Sequence, residues 1–138
     1  MYVTMSEQDR VAVIDYANTK IIRYIEVGKH PRAIYLDKDA NKIYVANSGS
    51  DSISIIDSNS GKLFPRDIST PITPSDISFN PTTKLLYVSQ ADSNTVSVIN
   101  TTTGRPVVAV NFNIKPPAAG HIDCKKLPYN QIKTISSN

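Results

Sequence analysis

The sequence predicts an all-β fold, a partial β-propeller of about two and a half to three blades with four antiparallel strands each. Three observations carry this. The segment Lys42–Lys62, KIYVANSGSDSISIIDSNSGK, returns as Leu85–Arg105, LLYVSQADSNTVSVINTTTGR, and a clipped copy opens the chain. Tyr2-Val3-Thr4, Tyr44-Val45-Ala46 and Tyr87-Val88-Ser89 therefore stand 42 and then 43 residues apart, a period typical of stacked supersecondary units. No stretch shows a 3.6-residue apolar period, whereas short β-rich runs alternate with Gly, Ser, Asn and Asp turns.

The middle unit sets the pattern. Ala33–Asp37 is a short apolar strand, closed by the polar turn Lys38-Asp39-Ala40-Asn41. Lys42–Asn47 is the second strand, with Ile43 and Val45 on one face and Tyr44 and Ala46 on the other. Ser48-Gly49-Ser50-Asp51 breaks it, Ser52–Asp57 is the third strand, and Ser58-Asn59-Ser60-Gly61 turns into a fourth over Lys62–Ile68. The next blade repeats this as Asp76–Asn80, Leu85–Gln90, Thr95–Asn100 and Pro106–Phe112.

The third strand is the most telling. Its copies are Val11-Ala12-Val13-Ile14-Asp15, Ile53-Ser54-Ile55-Ile56-Asp57 and Val96-Ser97-Val98-Ile99-Asn100. Aliphatics on both faces demand cover on both faces, unlike a sheet with one wet side. The small second residue (Ala12, Ser54, Ser97) admits a closely packed neighbouring sheet. Asp15, Asp57 and Asn100 suit Asx-type turns, and Gly61 and Gly104 suit a positive φ four residues on. Thr19 stands where those glycines do, so a different turn is expected in the first unit. Pro31, Pro74 and Pro117 keep the period and restrict the approach to each innermost strand.

These residues resemble the YVTN family of β-propeller repeats, named for a strand like Tyr44-Val45-Ala46-Asn47. The resemblance covers Met1 to about Phe112, with Met5 and Gln90 departing from the motif's Asn and so weakening a shared role for it. It implies a surface-layer-type, exported protein of archaea or bacteria. Some relatives in the family are enzymes or bind DNA, and a propeller fold hosts many functions.

A closed ring needs at least four blades, and one blade without its inner strand plus two complete ones cannot close it. We therefore read residues 1–112 as propeller blades of an incomplete ring, a segment of a longer propeller. Alternatively the ring is completed by self-association, or it is an open arc. Residues 113–138 read as an irregular tail, the start of a further blade or of a following β-rich module. His121-Ile122-Asp123-Cys124 there is a candidate inner strand.

Bulk properties narrow the function classes. In 138 residues, 40% hydrophobic and 20% charged content argues against disorder. A net charge of +3 makes nucleic acid an unlikely partner. Cys124 is the one cysteine, so no internal disulfide forms. No apolar run approaches a membrane span, and no signal peptide is recognisable in this chain. No nucleophile elbow, P-loop or dinucleotide fingerprint is present. Asn100-Thr101-Thr102 is a sequon, but Asn100 has a turn to hold.

The loops between second and third strands share one face with the blade-to-blade connectors, and loops on a rigid scaffold carry binding. The candidate binding residues on this mouth-side face are Asp9, Arg10, Lys29, His30, Arg32, Asp51, Asp92 and Lys115. With Lys29 and Arg32, His30 could take an anion. No His or Cys pair has metal-ligand spacing, and a solvated loop histidine is the plainer reading. No catalytic set, metal site or cofactor is expected. The reading is a non-catalytic scaffold or binding segment of a secreted or cell-surface protein. Its partners are a protein or glycan at the loop face, and further blades or a second copy at exposed blade faces. The alternatives are a piece of a propeller enzyme or electron-transfer protein with its active residues elsewhere, and a nucleic-acid-binding propeller.

Overall fold

A computed structural model of the chain describes residues 1–111. Tyr2–Met5 (β1), Arg10–Asp15 (β2) and Lys20–Glu26 (β3) form a three-stranded antiparallel sheet. Pro31–Asp37 (β4), Lys42–Asn47 (β5), Ser52–Asp57 (β6) and Ile68–Ser69 (β7) form a second sheet of four strands in sequential order. Pro74–Asn80 (β8), Leu85–Gln90 (β9), Thr95–Asn100 (β10) and Arg105–Asn111 (β11) form the third. The sheets stack as propeller blades. One 3₁₀ turn, Ser6–Gln8, interrupts the all-strand pattern where β1 passes to β2. No helix among the described residues is long and apolar enough to cross a membrane.

The cores lie between blades. Val11, Val13 and Ile25 of the first blade pack with Ile43, Val45 and Ile56 of the second. Tyr44, Ala46, Ile53 and Ile68 pack from the second blade's other face against Ile77, Phe79, Leu86, Val88 and Ile99. Alternation along β5 thus serves two cores at once. Each fully buried aliphatic contributes roughly 1.5–3 kcal/mol.

Polar contacts cross the same seams. The Tyr2 hydroxyl donates to the Ser58 carbonyl at 2.9 Å, and Arg23 donates to the Ser60 carbonyl at 2.8 Å. Both hold the first blade to the turn after β6. One blade on, Tyr44 lies buried near Thr101. Burial pushes its hydroxyl pKa up, Thr101 opposes that, and the Asp37 charge adds to the rise.

The motif's Asn has a structural task after all. Asn47 Nδ2 donates to Ser54 Oγ at 2.8 Å, and Gln90 Nε2 donates to Ser97 Oγ at 2.7 Å. Gln90 does with a longer arm what Asn47 does, so it is no departure in role. In the first blade the two positions are Met5 and Ala12, a pair with no polar group to satisfy.

The turns after the third strands follow the Asx reading. Asp57 Oδ1 accepts the N–H groups of Asn59 and Ser60 at 2.9 and 2.7 Å. Asn100 Oδ1 accepts those of Thr102 and Thr103 at 2.9 and 3.2 Å. Asp15 accepts from the Ala17 N–H and from the Asn18 side chain. Thr19 corrects its expectation. Its φ of 51° places it in the same left-handed region as Gly61 at 63° and Gly104 at 68°. The Asx turn dictates that conformation whatever residue follows.

Several strand bounds also differ from expectation, and the third blade's outer strand begins at Arg105 rather than Pro106. The inner strands begin at Pro31 and Pro74, with Arg32 and Ser75 left over as bulges. The outer strand expected over Lys62–Ile68 is reduced to Ile68–Ser69 and one bridge from Leu63 to Ile56. In the first and third blades the outer strand carries one extra residue against its partner. Here it carries two between Leu63 and Ile68, because Pro65 has no N–H for the ladder. The excursion is pinned by Asp67, whose carboxylate accepts Ser52 Oγ and Ser54 Oγ at 3.3 and 3.0 Å.

Candidate functional site

On the mouth side, both described blade-to-blade connectors are clasped by the loop between second and third strands of the preceding blade. Asp9 sits at φ 54°. Its carbonyl accepts the Val27 N–H at 3.1 Å and its Oδ1 accepts the His30 N–H at 2.9 Å. Asp51 repeats this one period later at φ 48°. Its carbonyl accepts the Thr70 N–H at 2.8 Å and its Oδ1 accepts the Thr73 N–H at 2.6 Å. His30 and Thr73 are both left-handed, at φ 47° and 33°. An L-residue pays for that conformation, and the Asp acceptor sustains it.

The first clasp is also charged. Lys29 Nζ meets Asp9 Oδ2 at 2.8 Å. The Lys29 hydrogen bond, then the His30 N–H, holds the Asp9 carboxyl below its ordinary value, while Asp9 raises Lys29. Around them, the Lys29 N–H donates to Ser50 Oγ at 3.0 Å and the His30 carbonyl accepts Ser48 Oγ at 2.9 Å.

The predicted residues thus separate. Asp9, Lys29 and His30 come together, but Asp9 is engaged by its neighbours and His30 contributes its backbone. Asp51 makes the equivalent clasp at the next connector. Arg10 is drawn toward the blade, with its guanidinium 4.3 Å from the Tyr24 ring centroid and a buried Nε that has no partner. Arg32 is exposed at its bulge and its carbonyl accepts Thr4 Oγ1 at 3.3 Å. Asp92 is exposed in the turn between β9 and β10. Lys115, His121 and Cys124 lie outside the described residues. Among the described residues no three His, Cys, Asp or Glu side chains group to hold a metal ion.

Sequence reasoning missed a feature at the opposite end of the strands. A cleft of about 270 Å³ opens between the ends of β4 and β8, lined by Tyr35, Leu36, Asp37, Lys38, Asp39, Phe79 and Pro81. Asp37 stands in the sequence as the last residue of the strand Ala33–Asp37. The signal available was its place two residues after Tyr35 and two before Asp39.

The description "YNCE-like beta-propeller" matches residues 1–132 of the chain. No curated protein matches it significantly. Among solved structures, a chain of Kuenenia stuttgartiensis hydrazine synthase superposes with a TM-score of 0.78 at 24% identity. The match covers 85% of this chain and 34% of that one, so this chain spans about a third of that chain's length. At that identity the likeness is one of fold.

Proposed function

From a chain that belongs to the YNCE-like β-propeller family, we propose a non-catalytic scaffold that offers its mouth-side loops to a protein or glycan. The observation that carries this is the repeated clasp. Asp9 and Asp51, the carboxylates at the two described connectors, are committed to backbone N–H groups there. Such bonds make the loops rigid. They leave Arg32 and Asp92 exposed as contact groups, beside Lys29, whose side chain is 69% exposed. Rigid polar loops limit the ordering cost of binding.

The resemblance of the Tyr-Val strands to surface-layer-type repeats supports an exported, cell-surface setting. The uncovered face of the first blade supports further blades, or a second copy, as an additional partner. The test is a screen of the full chain against cell-surface proteins and a glycan array, beside an Arg32→Glu/Lys29→Glu variant. Capture that the variant loses supports the reading. Capture unaffected by the variant, or chemical conversion of the captured ligand, overturns it. Light scattering that shows a strict monomer removes the second copy as partner.

A further inference from the structure

We propose that the free edge of β3 pairs antiparallel with β3 of a second copy of this chain, joining the two first blades into one continuous sheet. The pairing rests on the second-copy reading above and assigns its surface. β3 ends the order β1-β2-β3, so one side of Lys20–Glu26 pairs with β2 and the other has no strand beside it. The backbone N–H and C=O groups of such an edge are a template for another strand. All of its residues except Ile25 are exposed, among them Ile21 at 49%, Ile22 at 64% and Tyr24 at 45%.

The other two blades guard the same edge. Pro65 leaves the middle blade's outer strand two residues long, and Pro106 stands second in β11. A proline has no N–H to give an incoming strand. KIIRYIE, the sequence of β3, contains neither proline nor glycine.

The strand's own sequence selects the second copy as its partner. Laid antiparallel on itself about Arg23, it sets Lys20 opposite Glu26, Ile21 opposite Ile25 and Ile22 opposite Tyr24. Opposed residues in an antiparallel pair share a face, where opposite charges and aromatic–aliphatic pairs stabilise. Both ends of the ladder therefore carry a cation against an anion. A slip of one residue would set Lys20 against Ile25 and Arg23 against Ile22, and would leave Glu26 facing Thr19. The two copies of Arg23 meet at the centre, but each guanidinium is turned onto its own second blade, where it donates to the Ser60 carbonyl at 2.8 Å.

The charge register makes the pairing testable. Sedimentation equilibrium of the full chain over a concentration series measures the dimer, and circular dichroism checks the fold of each variant. Lys20→Glu and Glu26→Lys should each weaken the dimer about ten-fold or more, and the two together should restore it to within about two-fold of the parent. Ile22→Lys should abolish it, as a lysine on an edge does. Ile22 is the extra residue of the bulge and has no partner on β2, so that change spares the blade's own ladder. None of these variants alters Lys29 or Arg32, so loss of mouth-side capture with the dimer intact would count against the scaffold reading alone. A strict monomer, a dimer indifferent to Ile22→Lys, or a double reversal that fails to recover the dimer overturns the pairing.

Discussion

The first and middle blades share their second, third and outer strands in sequence order and meet different surroundings. Val3, Val45 and Val88 are repeat equivalents, yet Val45 and Val88 are fully buried and Val3 is 38% exposed. Ile56 and Ile99 are buried, and their equivalent Ile14 is only half-buried. The difference teaches that the repeat encodes which face a side chain takes, while a neighbouring blade decides whether that face is dry. Tyr2 and Arg23 show the reverse dependence, since both find their acceptors on the next blade.

The sharpest way to break the comparison is to truncate equivalent residues. Val45→Ala removes buried methyl groups and leaves a cavity, and should cost about 2 kcal/mol or more in urea unfolding. Val3→Ala should cost about 0.5 kcal/mol or less. Equal losses would mean that the first blade's outer face is covered in solution.

The turns offer a smaller contrast. Thr19→Gly relieves a β-branched residue of a left-handed φ and should raise stability by about 1 kcal/mol. Gly61→Ala and Gly104→Ala both impose that strain. At Gly61 the new Cβ also runs into the Arg23 guanidinium, whereas at Gly104 it meets nothing. Gly61→Ala should therefore melt below Gly104→Ala, and identical melting temperatures would remove Arg23 as a blade tie.

The smallest effect is electrostatic. Asp9, Asp15 and Asp57 are held below the ordinary carboxylate value by Lys29, by Asn18 and by the Ser60 N–H respectively. A depressed folded pKa contributes stability above the unfolded value of about 3.9, lost as pH falls through the folded value. The chain should weaken on acidification below about pH 4. Asp57→Asn should flatten that slope while keeping the turn, as Asn100 does. An unchanged slope would assign the acid response elsewhere. These carboxylates are exposed, so the effect is modest.

Much of this was legible in the chain. Four strands, Lys42–Asn47, Ser52–Asp57, Leu85–Gln90 and Thr95–Asn100, match their expected bounds residue for residue, because turn residues and alternation flank each. The fourth strand of the middle blade was not legible. Ladder pairing there depends on how far Pro65 diverts the chain, and Asp67 sets that through contacts with Ser52 and Ser54. Legible too were the loops between second and third strands that hold Asp9, Asp51 and Asp92. Their engagement was not, since the partner of Asp9 is a backbone N–H twenty-one residues away, and spacing says nothing about such a bond.

The sequence by itself determined the blade. Its period, its two-faced strands and its Asx turns are local properties, each written in a handful of adjacent residues. Only the tertiary structure decided what stands against what: which valine is dry, that Gln90 replaces Asn47, and that Arg23 crosses Gly61. Those outcomes depend on groups a full blade apart, and burial and hydrogen bonding belong to the pair of surfaces rather than to either one.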